Sequence, residues 1–267
     1  MKTPDWTEPA HPITTHELSL WRKQRRVLWI TFVILPLLVS SCMWSAFLSP
    51  RRILRPNDLL SALNLNIWGL QLFLGIWLGV IVTSRAATLI ARERETRNWA
   101  LLKTTPHIES EILSLKAQAI FYDLRWPISL VFSLRALSIV GSVAAAPLDS
   151  VGEAAQAAIF VVVFCAELLV SLNYNCVVGA TASAAAGTTA SATGLAYMIH
   201  GLAAVFIFAP LWWRFIFLDQ TIFFFAYTTE STLWSLTLHY ASLSIVQLLL
   251  IGLGYSVAAR FAERESG

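Results

Sequence analysis

Few side chains in this sequence are placed to do chemistry, and most of those lie inside long apolar runs. His200 and His239 stand alone on such runs, with no second ligating side chain three or four residues away. That spacing gives no metal site. Each histidine either hydrogen-bonds a neighbouring helix or serves as an axial ligand to a porphyrin-type pigment. Arg135 and Glu167 sit at the middles of two further runs. A bilayer interior tolerates such charges when they are paired or face water, so the two either form an ion pair or line a polar cavity separately. Asp123, Asp149, Glu153 and Glu167 are spread over two runs and their connection, whereas a polytopic enzyme would gather its acids at one depth. Cys42, Cys165 and Cys176 all fall in apolar runs and leave an odd count, so no disulfide framework follows. No stretch matches G-x-x-x-x-G-K-[ST], so the chain has no phosphate-cradling loop of its own. None of its residues is expected to perform bond chemistry.

The densest set of polar groups is the stretch 91–116, ARERETRNWALLKTTPHIESEILSLK. Glu93 and Arg97 are four residues apart in the favourable order, which predicts a helix over 92–102 with its own surface ion pair. Pro106 biases Thr105 out of the helical region and should end that helix. Ile108, Ile112, Leu115 and Ala119 then recur at helical spacing and predict a second, amphipathic helix leading into the next apolar run. Arg92, Glu93, Arg94, Glu95 and Arg97 are more charge than the end of a span requires, and Trp99, Leu101 and Leu102 follow at once. A bulky aromatic beside an apolar pair suits a partner's groove, with Trp99 as anchor and the charges as rim. The competing reading places Trp99 in the lipid headgroup layer.

This stretch resembles the permease subunits of type-2 ATP-binding-cassette exporters. Their signature after the second span runs roughly E-R-E-x-G-T, a Trp or Leu, several Leu, T-P, four residues, E-I, three residues and K. Glu93, Arg94, Glu95, Trp99, Leu101, Leu102, Thr105, Pro106, Glu111, Ile112 and Lys116 fall at the matching positions without a gap. Arg97 stands where Gly is usual, Asn98 where Thr is usual, and Leu115 where Gly often precedes the Lys. Further on, Gly179, Ser183 and Ala190 match the family's G-x-x-x-S and later Ala between spans four and five. The resemblance implies a half-transporter that pairs with a second permease copy, identical or not, and with separate ATP-binding subunits. ATP and Mg would bind those subunits, with no cofactor in this chain, and 91–116 would be the coupling segment that receives them. The runner-up is a structural or pigment-binding subunit of a larger membrane complex with an exporter-like fold, which His200, His239 and the many aromatics would suit.

Composition sets the frame for these groups. With 57% hydrophobic and 13% charged residues among 267, the chain lacks the polar surface to cover a soluble core and reads as a polytopic membrane protein. A net charge of +3 gives no basis for a nucleic-acid partner. Six apolar runs, about 27–48, 65–90, 126–146, 154–180, 193–211 and 236–259, are each long enough to cross a hydrocarbon core of about 30 Å. Pro36 should kink the first and Arg85 should snorkel at the inner end of the second. Counting nine residues from Trp126 puts Arg135 about 14 Å into its span, and counting eleven from Gln156 puts Glu167 about 17 Å into the returning one, so their depths agree.

Residues 1–13, with Pro4, Pro9 and Pro12, read as a tail. Thr14 and Glu17 form a capping-box pattern that opens an amphipathic elbow helix over 14–26, carrying Arg22, Lys23, Arg25 and Arg26 onto an anionic leaflet. Residues 179–194, built from small and hydroxyl side chains, either pack helices closely or act directly. The aromatic stretch 211–235 reads as an interfacial or re-entrant segment. Trp21, Trp29, Trp99 and Trp126 fall near one boundary and Trp44, Trp68, Trp212, Trp213 and Trp234 near the other, as membrane-interface anchors do. Twelve Lys and Arg between Arg22 and Arg264, with Arg125 besides, flank the spans on the side of the 91–116 stretch and four on the other, which places both termini and that stretch in the cytoplasm of a multi-pass cell-membrane (inner or plasma) protein. The expected fold is an all-α bundle of six spans (27–260), with short tails at 1–13 and 261–267.

Overall fold

The computed structural model describes residues 12–21, 30–34, 37–38, 40–41, 56–99, 109–145, 151–210 and 230–264. All of its regular structure is helical: α1 (Pro12–Trp21), α2 (Pro56–Ala87), α3 (Ala91–Glu95), α4 (Glu109–Asp123), α5 (Arg125–Ala145), α6 (Val151–Ala185), α7 (Thr189–Ala203) continued by a π-helical turn (Ala204–Phe208), and α8 (Glu230–Arg264). Among the described residues four stretches are long and apolar enough to cross a membrane, Asn66–Glu95, Ala154–Ala185, Thr189–Phe208 and Leu236–Ala258, which marks a membrane protein. The first expected run lies mostly outside the described residues, as do Pro36, Leu101, Leu102 and 211–229. The third is the 21-residue helix α5, which carries Arg135 and is not among the four.

Helices α2 and α6 run parallel. Trp68 meets Phe164 with ring centroids 5.2 Å apart, and farther along the pair Thr83 reaches Asn175 and Ala86 meets Gly179. Helix α8 runs the same way, with Tyr240 edge-on to Phe164 at 4.8 Å and Gly254 against Val177. Helices α5 and α7 return in the opposite direction. Asp123 pairs with Arg85 while Ile139 packs near Trp68, and Thr189 meets Glu95 while His200 meets Thr83. At 32 and 35 residues, α2 and α6 are about 48 and 52 Å long, well beyond the hydrocarbon core.

Several expected boundaries move for identifiable reasons. Helix α1 begins at Pro12, the residue type favoured at a first helical position, so Thr14 lies inside the helix and is no cap. Both Thr14 and Glu17 are buried. The small-residue stretch 179–194 is mostly helix: α6 continues to Ala185, and α7 opens at once with a capping box between Thr188 and Ser191. Trp21 and Trp68 are core residues, 3% and 4% exposed, while Trp126 and Trp234 are exposed. Arg85 does not snorkel. It is buried, donates to Asp123 at 2.6 Å and lies 4.8 Å over the Trp21 ring, because a carboxylate and an aromatic face both await it inside the bundle.

Gly179 sets the approach of α6 to α2. A Cβ there would stand 2.6 Å from both the Thr83 carbonyl oxygen and the Ala86 methyl, so only hydrogen fits. Gly179→Ala should therefore lower stability by about 1–3 kcal/mol in detergent unfolding. Gly75→Ala, where a Cβ meets nothing within 4 Å, should leave stability unchanged or raise it by up to about 1 kcal/mol. Equal effects at the two glycines would contradict this packing.

Candidate functional site

The charged residues at the 91–99 end of the bundle form one connected hub. At its centre is Lys116 on α4, 1% exposed. Its ammonium donates to Glu17 Oε1 of α1 at 2.5 Å, to Glu93 Oε1 of α3 at 2.8 Å and to the Leu89 carbonyl at 3.3 Å. An ammonium has three N–H donors, and all three are used. Glu17 turns its other oxygen to Arg92, 2.7 Å away. The cluster thus holds two carboxylates and two cations, a balanced set, which the low-dielectric interior requires of charges so deeply placed.

Each residue of the Glu93-Arg94-Glu95 triplet serves a different helix. Glu93 holds α4 through Lys116. Arg94 donates through Nη1 to the carbonyls of Ala184 and Ala186, at 2.8 and 3.1 Å, where the C-terminal end of α6 leaves carbonyls without intrahelical partners and welcomes positive charge. Glu95 accepts from the Thr189 backbone N–H at 2.7 Å, placing an anion at the N-terminus of α7. The short helix α3 is itself capped from outside. Its N-cap residue Ile90 has no side chain to offer, and Ser183 of α6 supplies the acceptor, taking the N–H groups of Ile90 and Ala91 at 2.9 and 3.0 Å. Gly179 and Ser183 therefore have separate structural tasks one helical turn apart.

The expected helix over 92–102 stops early. Helix α3 ends at Glu95, and Arg97 adopts φ 61°, the left-handed conformation that usually falls to glycine. Glu93 and Arg97 do not form the surface pair, because the buried Lys116 is the stronger partner and the left-handed turn carries Arg97 outward, where it is exposed. Trp99 is not at a free surface: it is 5% exposed and packed with Ile90, Ile112, Leu113, Ala184 and Ala258, so it ties α8 to the hub. Leu102 lies outside the described residues. The exposed face of the segment is Glu95, Thr96, Arg97 and Asn98, with Arg92 and Arg94 half-buried.

Deeper in the bundle, Arg135 and Glu167 meet. Arg135 Nη1 donates to Glu167 Oε2 and to the Phe164 carbonyl, each at 2.7 Å, and its guanidinium lies 4.5 Å over the Phe164 ring. His200 Nε2 lies 2.8 Å from the Thr83 hydroxyl, which also reaches Asn175, so this ring nitrogen is already engaged between helices. His239 is buried on α8 beside Tyr240, with rings 5.5 Å apart. The two histidines sit on different helices at different levels of the bundle, His200 beside Tyr174 and His239 beside Tyr240. Among the described residues no three His, Cys, Asp or Glu side chains gather as a metal site.

Sequence reasoning missed Glu17, Lys116, Ser183 and the Arg85–Asp123 pair as working residues. Their partners are remote in the chain: the sequence offered Lys116 and Ser183 only as places in matched patterns and Glu17 only as half of a capping box.

No family model, curated protein or solved structure matches this chain.

The Arg135–Glu167 contact yields a sharp test. Arg135→Leu and Glu167→Leu should each cost about 3–5 kcal/mol in unfolding, since each strands a buried charge, and the double variant should be more stable than either. A double-mutant cycle with additive losses would show that the pair contributes nothing.

Proposed function

We propose that the chain is the transmembrane permease subunit of an ATP-binding-cassette exporter, with 91–116 as its coupling segment. The observation that carries this reading is the division of the segment into two faces. Glu93, Arg94, Glu95 and Trp99 are each fastened to a different helix, while Glu95, Thr96, Arg97 and Asn98 present an exposed turn directly beside those fastenings. A load applied to the turn reaches α1, α4, α6, α7 and α8 without passing through a flexible link. That is the mechanical requirement for a membrane protein whose energy is supplied by another polypeptide. The resemblance of 91–116 to the type-2 exporter signature supplies the identity of that polypeptide.

In this reading ATP and Mg bind a separate ATP-binding subunit, which docks on the 95–98 turn. A second permease copy, the same chain or a related one, completes the pathway. Six spans include the runs at 27–48 and 126–146, α1 is the elbow helix at the leaflet, and both termini face the cytoplasm. The substrate crosses along the membrane part of the dimer, and no residue of this chain makes or breaks a covalent bond.

Arg97 gives the cleanest experiment, because it is exposed and already lies outside any helix. Arg97→Gly suits the left-handed backbone and should raise stability by up to about 1 kcal/mol, while Arg97→Glu reverses the charge offered to the partner. The expected result for Arg97→Glu is an inserted, folded protein that loses most of its copurifying ATPase. Retention of an ATPase at full stoichiometry by Arg97→Glu, or the absence of any ATPase from wild-type preparations in mild detergent, would overturn the assignment.

A further inference from the structure

Helices α6, α7 with its π-helical turn, and α8 enclose a groove of about 400 Å³ that opens sideways. Its floor is sealed where α8 presses on α6: a Cβ at Gly254 would stand 2.4 Å from Val177, and the Thr181 hydroxyl donates to the Gly254 carbonyl at 3.1 Å. Its walls are Ile199 and Phe206 on one side and Leu253 and Val257 on the other. Phe206 and Leu253 are 72% and 64% exposed, so the opening faces whatever surrounds the helices, and in a membrane protein that is lipid. A polar ligand would find almost no hydrogen-bond partner there, since the lining offers only the hydroxyls of Tyr174 and Thr181, the second already committed. Only hydrocarbon satisfies such a lining.

The groove has a charged end. It runs from Leu250 to Val257 along α8, about 10 Å, toward the end of the bundle that holds the hub. Arg260 follows Val257 by three residues, hence on the same helix face, and a helical side chain leans back over the turn before it, toward the mouth. It is exposed, and among the described residues no carboxylate pairs with it. A hydrocarbon slot with an exposed guanidinium beyond one end has the chemistry of an anionic phospholipid, acyl chain inward and phosphate at the cation.

We propose that this groove is a binding site for one anionic phospholipid of the leaflet on the hub side, with an acyl chain between α7 and α8 and its phosphate against Arg260. The lipid is a resident of the fold that braces the π-helical turn against α8. The site needs only that the chain lies in a membrane, and it stands whether or not the transport reading does.

The test uses the full chain, purified in mild detergent and stripped of lipid. Dioleoyl-phosphatidylglycerol, dioleoyl-phosphatidylcholine and soluble glycerol 3-phosphate are added in turn while the unfolding temperature and bound lipid by native mass spectrometry are followed. Phosphatidylglycerol should bind at one lipid per chain and raise the unfolding temperature. Phosphatidylcholine should do so more weakly, and glycerol phosphate not at all. Arg260→Gln, a surface change, should weaken phosphatidylglycerol about five-fold, the effect of one basic residue near a phosphate. Leu253→Trp or Val257→Trp, both at partly exposed positions, should fill the slot and remove the stabilisation. Undiminished phosphatidylglycerol binding in Arg260→Gln and in whichever tryptophan variant folds, an equal response to the two lipids, or stabilisation by glycerol phosphate alone would overturn the proposal. So would efficient disulfide formation between two chains carrying Leu253→Cys in native membranes, which would show the groove to be the seat of a second copy.

Discussion

The arrangement of this protein depends on one buried ammonium group. Lys116 is withdrawn almost completely from solvent, and a lone cation there would cost several kcal/mol, so the fold is stable only if carboxylates are brought to it. They come from two other elements, Glu17 on α1 and Glu93 on α3. Three segments are thereby fixed to one point, and the geometry of that point decides the rest. With Glu93 turned inward, its two neighbours on the short helix α3 must face elsewhere. Arg94 faces the end of α6 and Glu95 the start of α7. A five-residue helix with no cap of its own is held from four directions, and its stability comes from those contacts and not from its length.

The interior of the bundle repeats the same logic with less redundancy. Arg85 is matched by Asp123 and Arg135 by Glu167, and each guanidinium also lies over an aromatic ring. Apolar surface alone cannot specify how helices pack in a lipid environment, because the lipid is as apolar as the side chains. Buried pairs that fail in any other register, together with Gly179 and Gly254 where only hydrogen fits comfortably, supply the missing specificity.

Much of this architecture was legible in the sequence, and the reasons for success and failure are distinct. The apolar runs at 65–90, 154–180, 193–211 and 236–259 each contain a long helix, because run length reports directly on what a helix can bury. The matching depths of Arg135 and Glu167 followed from helical rise, and the two meet. The hub was not legible. Periodicity reports on neighbours within one helix, so Glu93 suggested Arg97 four residues on, whereas its partner lies 23 residues away and that partner's second carboxylate 99 away. The left-handed turn at Arg97 was hidden for a related reason. Arginine is a good helix former, and its standing where the resembled pattern has Gly counted against a tight turn there. Trp99 looked like a surface anchor because nothing local shows that Ile112, Ala184 and Ala258 converge on it.

If Lys116 is the tie that holds the hub, removing it must leave a buried carboxylate without a partner, and removing that carboxylate as well must relieve the damage. The decisive measurement is the unfolding free energy, in one detergent, of Lys116→Met and of Glu93→Gln combined with Lys116→Met, with Glu17 left to Arg92 in both. The single variant should lose about 3–5 kcal/mol, and the double variant should be distinctly more stable than the single. A loss of less than about 1 kcal/mol for Lys116→Met, the scale of a surface pair, or a double variant no more stable than the single, would contradict the account.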